Sequence, residues 1–323
     1  MKIVISGAAG FIGSNLSWRL LDLGHNVIGI DNLSFGSLRN LEKFVNHKNF
    51  SFINKDLRNS DSLNDITGDV LFHFASQKIP RYTNALCTLD DNSAMLRNVV
   101  KKCVSDKIKL IYASTSDVYG KNPNVPYTEE SDLVLGQTTV KRWAYALSKI
   151  YGEQYIIANH DEYNLEYTIV RFFGSYGPNQ NLTWWGGPQS VFIANALIKK
   201  SMEIHGDGLQ TRTFTYIDDT IQGLERCLLN ANSKNEIFNI ANNPTEEITI
   251  LDLGKLIWKL VQGENSIPQI TFIPYQAFGK YEDVRRRVPD IGKIKSLLSY
   301  NPKYSLADGL RSTINWQRTL PSV

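Results

Sequence analysis

The sequence predicts an α/β protein built on a parallel, doubly wound β-sheet, together with a smaller α/β domain. Short runs such as KIVIS (2–6) and DVLFHFA (69–75) have apolar residues in succession rather than in strict alternation, as strands buried on both faces do. Amphipathic stretches of helical length separate these runs. This alternation is typical of a parallel sheet that has helices on both faces.

The first half of the chain carries most of the predicted sheet. Its predicted elements are strands at 2–6, 26–31, 50–56, 69–75, 108–114 and 165–174, and helices at 11–24, near 90–104 and around Tyr145. The continuous apolar character of these strands places them inside the sheet, where helices cover both faces.

The second half has a different composition. Loops rich in glycine, proline, asparagine or aromatic residues are predicted at 175–189 and 205–214. The remaining predicted elements are helices at about 191–200, 218–231, 250–262 and 305–318, and a strand at 236–241. We therefore divide the chain into residues 1–174 and 175–323, and we expect later strands to return to the first sheet.

Composition and charge exclude several classes of protein. Apolar residues make up 42% of the 323 residues and charged residues 21%, which is typical of a soluble globular protein. The net charge of +3 is too small to indicate a nucleic-acid partner. No apolar run approaches the ~18 residues that a membrane span needs, and MKIVISG leads directly into a glycine motif. We expect a cytoplasmic protein that binds neither nucleic acid nor membrane.

The three cysteines carry no metal or disulfide pattern. Cys87, Cys103 and Cys227 are widely spaced, without a CxxC pair and without a histidine at metal-ligand spacing. We expect buried, reduced thiols, as in most cytoplasmic proteins, and no metal site.

A glycine motif, GAAGFIG, lies between the first strand and the first helix. A tight strand-to-helix turn tolerates positive φ when it holds glycine, and a pyrophosphate on the helix N-terminus needs backbone without Cβ atoms. The glycines of the motif are Gly7, Gly10 and Gly13. Asp31 ends the second strand 18 residues after Gly13, where a carboxylate accepts hydrogen bonds from the adenosine ribose and repels a 2′-phosphate. The pattern predicts a Rossmann-type domain that prefers NAD to NADP; a purely structural glycine turn is the alternative.

Further cofactor contacts are expected beside this motif and at the carboxyl ends of the strands, where ligands bind in such folds. These candidates are Phe11, Ile12, Asn32, Asp56, Leu57, Phe74, Ala75 and Ser76. Asp56 follows the third strand and is expected near the edge of the adenine.

The stretch KRWAYALSK (141–149) places Tyr145 four residues before Lys149, so the two side chains share one helical face. Such a pair can arise by chance, but Thr115 and Ser116 end the fifth strand on the same rim as the cofactor. A tyrosine with a pKa near ~10 is a poor base at neutral pH, whereas an ammonium and a positive nicotinamide favour the phenolate. Thr115, Tyr145 and Lys149 together are suited to taking a proton from an alcohol while the carbon of that alcohol gives a hydride to NAD⁺.

Several motifs carry a family resemblance, and they follow one another over nearly the whole chain: GAAGFIG, Asp31, STSDVYG, YALSK, RFFGSYGP, GDGLQTRTFTYIDD and VRRRVPDI. They resemble the extended short-chain dehydrogenase/reductase family, the NAD-dependent nucleotide-sugar epimerases, dehydratases and decarboxylases. The resemblance implies catalytic positions for Thr115, Tyr145 and Lys149, and a nucleotide-sugar-binding domain over residues 175–323. It also implies a UDP- or dTDP-linked sugar substrate and a homodimer formed through the helix of Tyr145 and the helix near 90–104.

Substrate-binding candidates follow from the same resemblance. They are Lys78, Arg81, Phe192, Arg212, Arg285 and Arg287. Arg212 and Arg287 match family arginines, and guanidinium groups suit phosphate oxygens. Arg285 is equally well explained as part of a solvated face. Lys78 and Arg81 follow the fourth strand, where either cation suits the carboxylate of a uronic acid and exposure to solvent is the alternative.

The STSDVYG motif leaves the outcome of the reaction open. Family dehydratases resemble STDEVYG, but Ser116 stands at the first acid position. Decarboxylases resemble STSEVYG, so Asp117 is a near match that is one carbon shorter, and RWAY and YEDVRRRVP are also similar to them. Many epimerases carry neither acid. We favour 4-epimerisation of a UDP-sugar, a hexose or a uronic acid. UDP-glucuronate decarboxylation, 4,6-dehydration and, most distantly, a non-catalytic NAD-sensing protein are the alternatives.

Two features depart from the family pattern. Gly174 stands where most relatives carry asparagine in RFFN-YGP, so a side chain expected near the substrate phosphates is missing. Trp184 and Trp185, in TWWGGPQ, either line the sugar pocket or pack a loop.

Overall fold

The computed structural model describes residues 1–78 and 84–320. The helices and strands of this part of the chain are, in order, β1 (Lys2–Ser6), α1 (Phe11–Asp22), β2 (Asn26–Asp31), β3 (Phe50–Asn54), β4 (Val70–His73), α2 (Ala85–Asp106), β5 (Lys109–Thr115), α3 (Trp143–Tyr163), β6 (Tyr167–Phe172), β7 (Ser175–Tyr176), α4 (Pro188–Leu197), β8 (Met202–His205), β9 (Thr211–Thr213), β10 (Thr215–Tyr216), α5 (Ile217–Leu229), β11 (Glu236–Ile240), β12 (Glu247–Thr249), α6 (Ile250–Gln262), β13 (Ile270–Ile273), β14 (Arg286–Arg287), α7 (Gly292–Leu298) and α8 (Leu306–Arg318).

The main sheet has seven parallel strands in the order β11-β6-β5-β4-β1-β2-β3. The predicted fold class, a doubly wound α/β sheet, is therefore confirmed. In its register, Ile3 of β1 lies between Val27 of β2 and Val70 of β4. β11, from the second half of the chain, pairs with β6 at the edge of the sheet. The division of the chain at residue 174 stays a prediction.

Both faces of the sheet are buried, as the apolar runs predict. Ile3 and Ile5 of β1 belong to the same buried cluster as Leu16 of α1. Val4, between them, belongs to a second cluster with Leu96 of α2. Successive side chains of a strand point to opposite faces, so a strand covered on both sides needs apolar residues at every position.

The second half adds three small sheets, with the strand orders β12-β9-β14, β13-β8 and β10-β7. Most of these strands lie in segments that the sequence analysis did not assign to strands, and β9 lies in the predicted loop at 205–214. Strands of two to four residues are too short to show a two-residue period. Helix α4 also begins earlier than predicted, because Pro188 stands at its first position, where proline is well tolerated.

Two further predictions concern the burial of the cysteines and the presence of membrane-spanning helices. Cys103 and Cys227 are buried, but Cys87 is exposed. The prediction of a buried thiol is wrong for Cys87, because the residue lies in the first turn of α2 on its solvent side. Within residues 1–78 and 84–320, no helix has the length and apolar character that crossing a bilayer requires.

Candidate active site

A cavity of about 970 Å³ lies at the carboxyl edge of the main sheet. Most of the residues that the sequence analysis selected line it: Gly7, Gly10, Phe11, Ile12, Gly13, Asp31, Asn32, Leu57, Phe74, Ala75, Ser76, Lys78, Thr115, Ser116, Asp117, Tyr145, Lys149, Arg212 and Arg287. Ligands of doubly wound folds bind at this edge. The fold thus brings residues from both halves of the sequence into one site.

Asp56 and Phe192 do not line the cavity. The Asp56 carboxylate accepts hydrogen bonds from the Arg58 guanidinium and from Asn32 Nδ2, the latter at 3.0 Å. The hydrogen bond from Arg58 holds the pKa of Asp56 well below its usual range. Phe192 is fully buried and meets Trp184 edge-on, with 6.1 Å between ring centres.

Arg285 also lies away from the cavity. Its side chain is 63% exposed and pairs with Asp207 at 2.9 Å. This position corresponds to the solvated face that the sequence analysis left open for Arg285. Arg81 lies outside the residues that the structure describes.

Two positions at the turn between β1 and α1 have room for glycine alone. Gly7 has a φ of +74°, and a Cβ there would lie 2.8 Å from the backbone nitrogen of Ala75. At Gly13 a Cβ would lie 2.2 Å from the carbonyl oxygen of Gly7. The α1 N-cap, Gly10, provides no side-chain hydrogen bond to the first turn. The free N–H groups of a helix N-terminus bind phosphate, so this end of the cavity fits a dinucleotide.

Asp31 is fixed by the same turn. One carboxylate oxygen accepts a hydrogen bond from Ala9 N–H at 3.0 Å and the other from Leu33 N–H at 2.7 Å. Burial raises the pKa of Asp31, and the two backbone donors oppose that rise. Each carboxylate oxygen can accept a second hydrogen bond, so this rigidly held group also fits a ribose diol.

Thr115, Tyr145 and Lys149 converge at the other end of the cavity. Thr115 is the last residue of β5, and the other two lie one turn apart on α3. The Thr115 side chain lies close enough to Tyr145 to lower the pKa of its phenol. The Lys149 ammonium donates to the carbonyl of Ala113 at 2.8 Å and lies 5.9 Å from the centre of the Tyr145 ring.

Burial dominates the electrostatics of this group. Burial raises the pKa of Tyr145 and Asp117 raises it further, while the neighbouring Thr115 side chain and the charge of Arg287 lower it. Burial also lowers the pKa of Lys149 to about 7. The predicted phenolate depends on both the Lys149 ammonium and the positive nicotinamide, because desolvation works against the charged forms of Tyr145 and Lys149. The protein by itself favours a neutral tyrosine, and the phenolate needs further positive charge.

A cluster of arginines and aspartates borders Thr115, Tyr145 and Lys149. Asp117 Oδ1 accepts hydrogen bonds from Arg287 at 2.5 Å and from Arg142 at 3.2 Å. Asp283 Oδ1 accepts from Arg142 at 3.1 Å and from Arg212 at 3.0 Å. With three guanidinium groups and two carboxylates, the cluster is net positive, which suits a phosphate or a carboxylate.

Sequence reasoning missed Arg142, Tyr281 and Asp283, all of which line the cavity. Arg142 stands three residues before Tyr145, so the helical spacing within RWAY could have identified it. Tyr281 and Asp283 lie in YEDVRRRVP, which resembles the decarboxylases, but no local period links them to Arg142, since a loop distant in sequence brings them to it.

The loop before α4 contains the two tryptophans of TWWGGPQ. Trp184 and Trp185 both line the cavity. Trp184 stacks on His205 with 4.2 Å between ring centres, and Trp185 packs against Phe35 at 4.4 Å.

Gly174 adopts a φ of +52°, and a Cβ there would lie 2.8 Å from Cδ1 of Phe214. The Phe214 ring thus fills the space that a side chain at residue 174 would occupy. This crowding accounts for the missing side chain.

The fold and the site define a nucleotide-dependent enzyme of the extended short-chain dehydrogenase/reductase class. The chain belongs to the NAD-dependent epimerase/dehydratase family, whose sequence model matches residues 3–241. Among curated relatives, a UDP-N-acetyl-alpha-D-glucosaminuronate decarboxylase of Bacillus cytotoxicus is 31% identical, with 99% of this chain and 98% of the relative covered. UDP-glucuronic acid decarboxylase 1 of Danio rerio is 34% identical, with 98% and 72% covered.

Solved structures show the same architecture. UDP-glucuronic acid 4-epimerase from Bacillus cereus, in complex with UDP-glucuronic acid and NAD, has a TM-score of 0.87 and 30% identity, with 98% of this chain and 99% of that chain covered. UDP-glucose 4-epimerase from Thermotoga maritima, with UDP-glucose, has a TM-score of 0.87 and 28% identity over the same shares.

Proposed function

We propose that this enzyme uses bound NAD to oxidise C4 of a UDP-linked sugar and then reduces the 4-keto sugar again. The convergence of Thr115, Tyr145 and Lys149 on a cavity whose other end holds Asp31 and the glycine turn carries this proposal. The NAD-dependence of the family supports the cofactor. UDP-sugars in the names of relatives and neighbours support the substrate class.

In this proposal the α1 N-terminus holds the pyrophosphate and Asp31 holds the adenosine ribose. Bound NAD⁺ supplies the hydride acceptor and a positive charge beside Tyr145. Lys149 binds the nicotinamide ribose and adds its own charge, so the two cations offset the desolvation that keeps the phenol neutral. Tyr145 then takes the proton of the C4 hydroxyl, while Thr115 donates a hydrogen bond to the same oxygen.

We further propose that the substrate is a uronic acid and that the 4-keto intermediate loses CO₂. Oxidation at C4 converts a C6 carboxylate into a β-keto acid, and loss of CO₂ leaves an enolate. The net positive cluster of Arg142, Arg212 and Arg287 suits that charge, and Asp117 stands at the acid position of STSEVYG. The curated decarboxylase relatives support this outcome.

A second candidate is 4-epimerisation, the outcome favoured by the sequence alone. The similarity to the 4-epimerase structure that contains UDP-glucuronic acid supports it. In this case the 4-keto sugar turns over in the site and receives the hydride on its other face. If the substrate is a uronic acid, its C6 carboxylate is retained.

One incubation separates these outcomes. Purified protein and NAD⁺ are mixed in turn with UDP-glucuronate, UDP-N-acetylglucosaminuronate, UDP-glucose and UDP-N-acetylglucosamine, and the products are analysed by mass and stereochemistry. Loss of CO₂ from a uronate supports the decarboxylase. An unchanged mass with a new stereoisomer identifies the epimerase, and loss of water would contradict both candidates.

Replacing the proposed base tests the shared first step. Tyr145→Phe removes the hydroxyl that takes the C4 proton, so we expect kcat to fall at least ~100-fold, the scale of a lost acid–base group. Tyr151→Phe is the control, because Tyr151 lies on the same helix but outside the lining of the cavity. Near-normal turnover by Tyr145→Phe would refute the assigned role.

A further inference from the structure

We infer that Glu153 is a positioning residue for Lys149 and sets the pH range over which that lysine is charged. Glu153 follows Lys149 by one helical turn on α3, so Tyr145, Lys149 and Glu153 share one face of the helix. Glu153 lies outside the lining of the cavity and acts through Lys149. The inference rests on the proposed function, in which the charge of Lys149 favours the phenolate.

The Glu153 carboxylate is buried and fully engaged. Oε1 accepts hydrogen bonds from Ser114 Oγ and, at 3.0 Å, from Arg171 Nε. Oε2 accepts from Arg171 Nη2 at 2.6 Å. Glu153 and Arg171 are each 4% exposed. Their bidentate contact fixes the carboxylate and compensates most of its charge.

The surroundings of Lys149 offer polar but mostly uncharged contacts. Its ammonium donates to the carbonyl of Ala113 and lies 4.8 Å from the centre of the Tyr112 ring on β5. His73, on β4, is buried and neutral, because burial and the charge of Lys149 both lower its pKa. Tyr145 completes the set on α3. Glu153 is the carboxylate whose charge opposes the desolvation of Lys149.

One carboxylate therefore acts on two cations: Arg171 pairs with Glu153 directly, and Lys149 feels its charge from one helical turn away. Because Arg171 takes both oxygens of Glu153, the ammonium of Lys149 is only partly compensated, and burial brings its pKa to about 7. A small change in the Glu153–Arg171 pair will thus change the fraction of Lys149 that is charged near neutral pH. Removing the acid and removing the arginine should act in opposite directions.

The test measures the titration of Lys149 directly, in protein labelled with ¹³C at lysine Cε. Loss of one signal in Lys149→Met assigns the resonance. In Glu153→Gln the carboxylate is gone and Arg171 is left uncompensated, so we expect the Lys149 midpoint to fall by about one pH unit or more. The alkaline limb of the kcat profile should move to lower pH by the same amount.

Two further variants keep the test decisive if Glu153→Gln fails to fold. Arg171→Met removes the cation that compensates the carboxylate while Ser114 still donates to it, and we expect the Lys149 midpoint to rise. Glu153→Asp keeps the negative charge and should restore a midpoint close to that of the wild type. A residue that serves packing alone would not move the midpoint in opposite directions.

Glu129→Gln is the matched control, since Glu129 is a buried glutamate whose carboxylate accepts from the backbone N–H of Asn239. Its variant should leave the Lys149 midpoint unchanged. An unchanged midpoint in Glu153→Gln, or shifts of the same sign in Glu153→Gln and Arg171→Met, would overturn the inference. Absence of turnover by the wild type with every UDP-sugar would instead overturn the proposed function, because the titration needs no substrate.

Discussion

At the scale of single residues, two carboxylates of the cavity are held in different ways. Asp31 accepts from the backbone N–H groups of Ala9 and Leu33, which carry no formal charge. Asp117 accepts from Arg142 and Arg287; burial alone would raise its pKa, but these cations lower it. Asp31 therefore keeps a negative charge that a ligand meets, whereas the charge of Asp117 is largely neutralised within the protein.

This difference yields a prediction for cofactor choice. Asp31→Ala removes the acceptor for the adenosine ribose and the charge that repels a 2′-phosphate, so we expect the preference for NAD⁺ over NADP⁺ to fall at least ~10-fold. Binding constants for the two dinucleotides measure the effect. Asp22→Ala, at the exposed end of α1, should keep the preference. A wild-type enzyme that prefers NADP⁺ would show that the role of Asp31 is misassigned.

At the scale of elements, α3 organises the site. One face of this helix presents Tyr145, Lys149 and Glu153, and Arg142 forms its N-cap. Gly152 allows the helix to approach β5 closely, because a Cβ there would lie 2.2 Å from the hydroxyl oxygen of Tyr112. The glycine thus sets the distance between the helix that carries the proposed base and the strand that carries Thr115.

Filling that gap should cost stability. Gly152→Ala forces α3 away from Tyr112, and we expect a loss of about 1–3 kcal/mol in the free energy of unfolding, as for other overpacked sites. Tyr112→Phe in the same chain removes the hydroxyl and should recover part of the loss. Gly254→Ala, on α6, has its nearest neighbour at the flexible Met202 sulfur, 3.3 Å away, and should be neutral or stabilising. Urea unfolding compares the variants, and an unaltered Gly152→Ala would contradict the close contact.

At the scale of the whole molecule, the centre of the sheet contains a buried histidine. His73, at the end of β4, is 2% exposed, and its Nδ1 lies 2.7 Å from Ser6 Oγ. Burial lowers its pKa from 6.5 to about 3. The native state therefore contains the neutral imidazole of His73 and disfavours the protonated one. The contribution of this group to stability is complete above pH 6.5 and is lost as the pH falls toward 3.

The pH dependence of unfolding can check this contribution. Between about pH 6.5 and pH 5, protonation of the unfolded chain at His73 should lower the free energy of unfolding by about 2 kcal/mol. Other groups titrate in the same range, so the comparison is with His73→Phe, in which this part of the slope should be absent. Parallel stability profiles for the two proteins would show that His73 is protonated in the native state.

The main sheet could be predicted from sequence because its strands are long, apolar and separated by helices. The contact of Arg142 with Asp283 could not be predicted, because the two residues lie 141 positions apart and no local period links them. β8 and β13 also pair across a long gap, with Met202 opposite Ile270, 68 positions later. The sequence alone could place Thr115 at the end of a strand and Tyr145 and Lys149 on a helix. The desolvation that raises the pKa of Tyr145 could not be predicted, because it depends on packing from several elements.

The contact between Phe35 and Trp185 has a practical consequence. It joins the segment after β2 to the segment before α4, and both rings line the cavity. An indole that lines the cavity is an intrinsic optical probe: we expect its emission to change when a ligand binds, and it can pass excitation energy to a reduced nicotinamide in the same cavity. Single turnovers could then be followed in real time without a dye, with Trp185→Phe as the reference that reports the emission of the other five tryptophans.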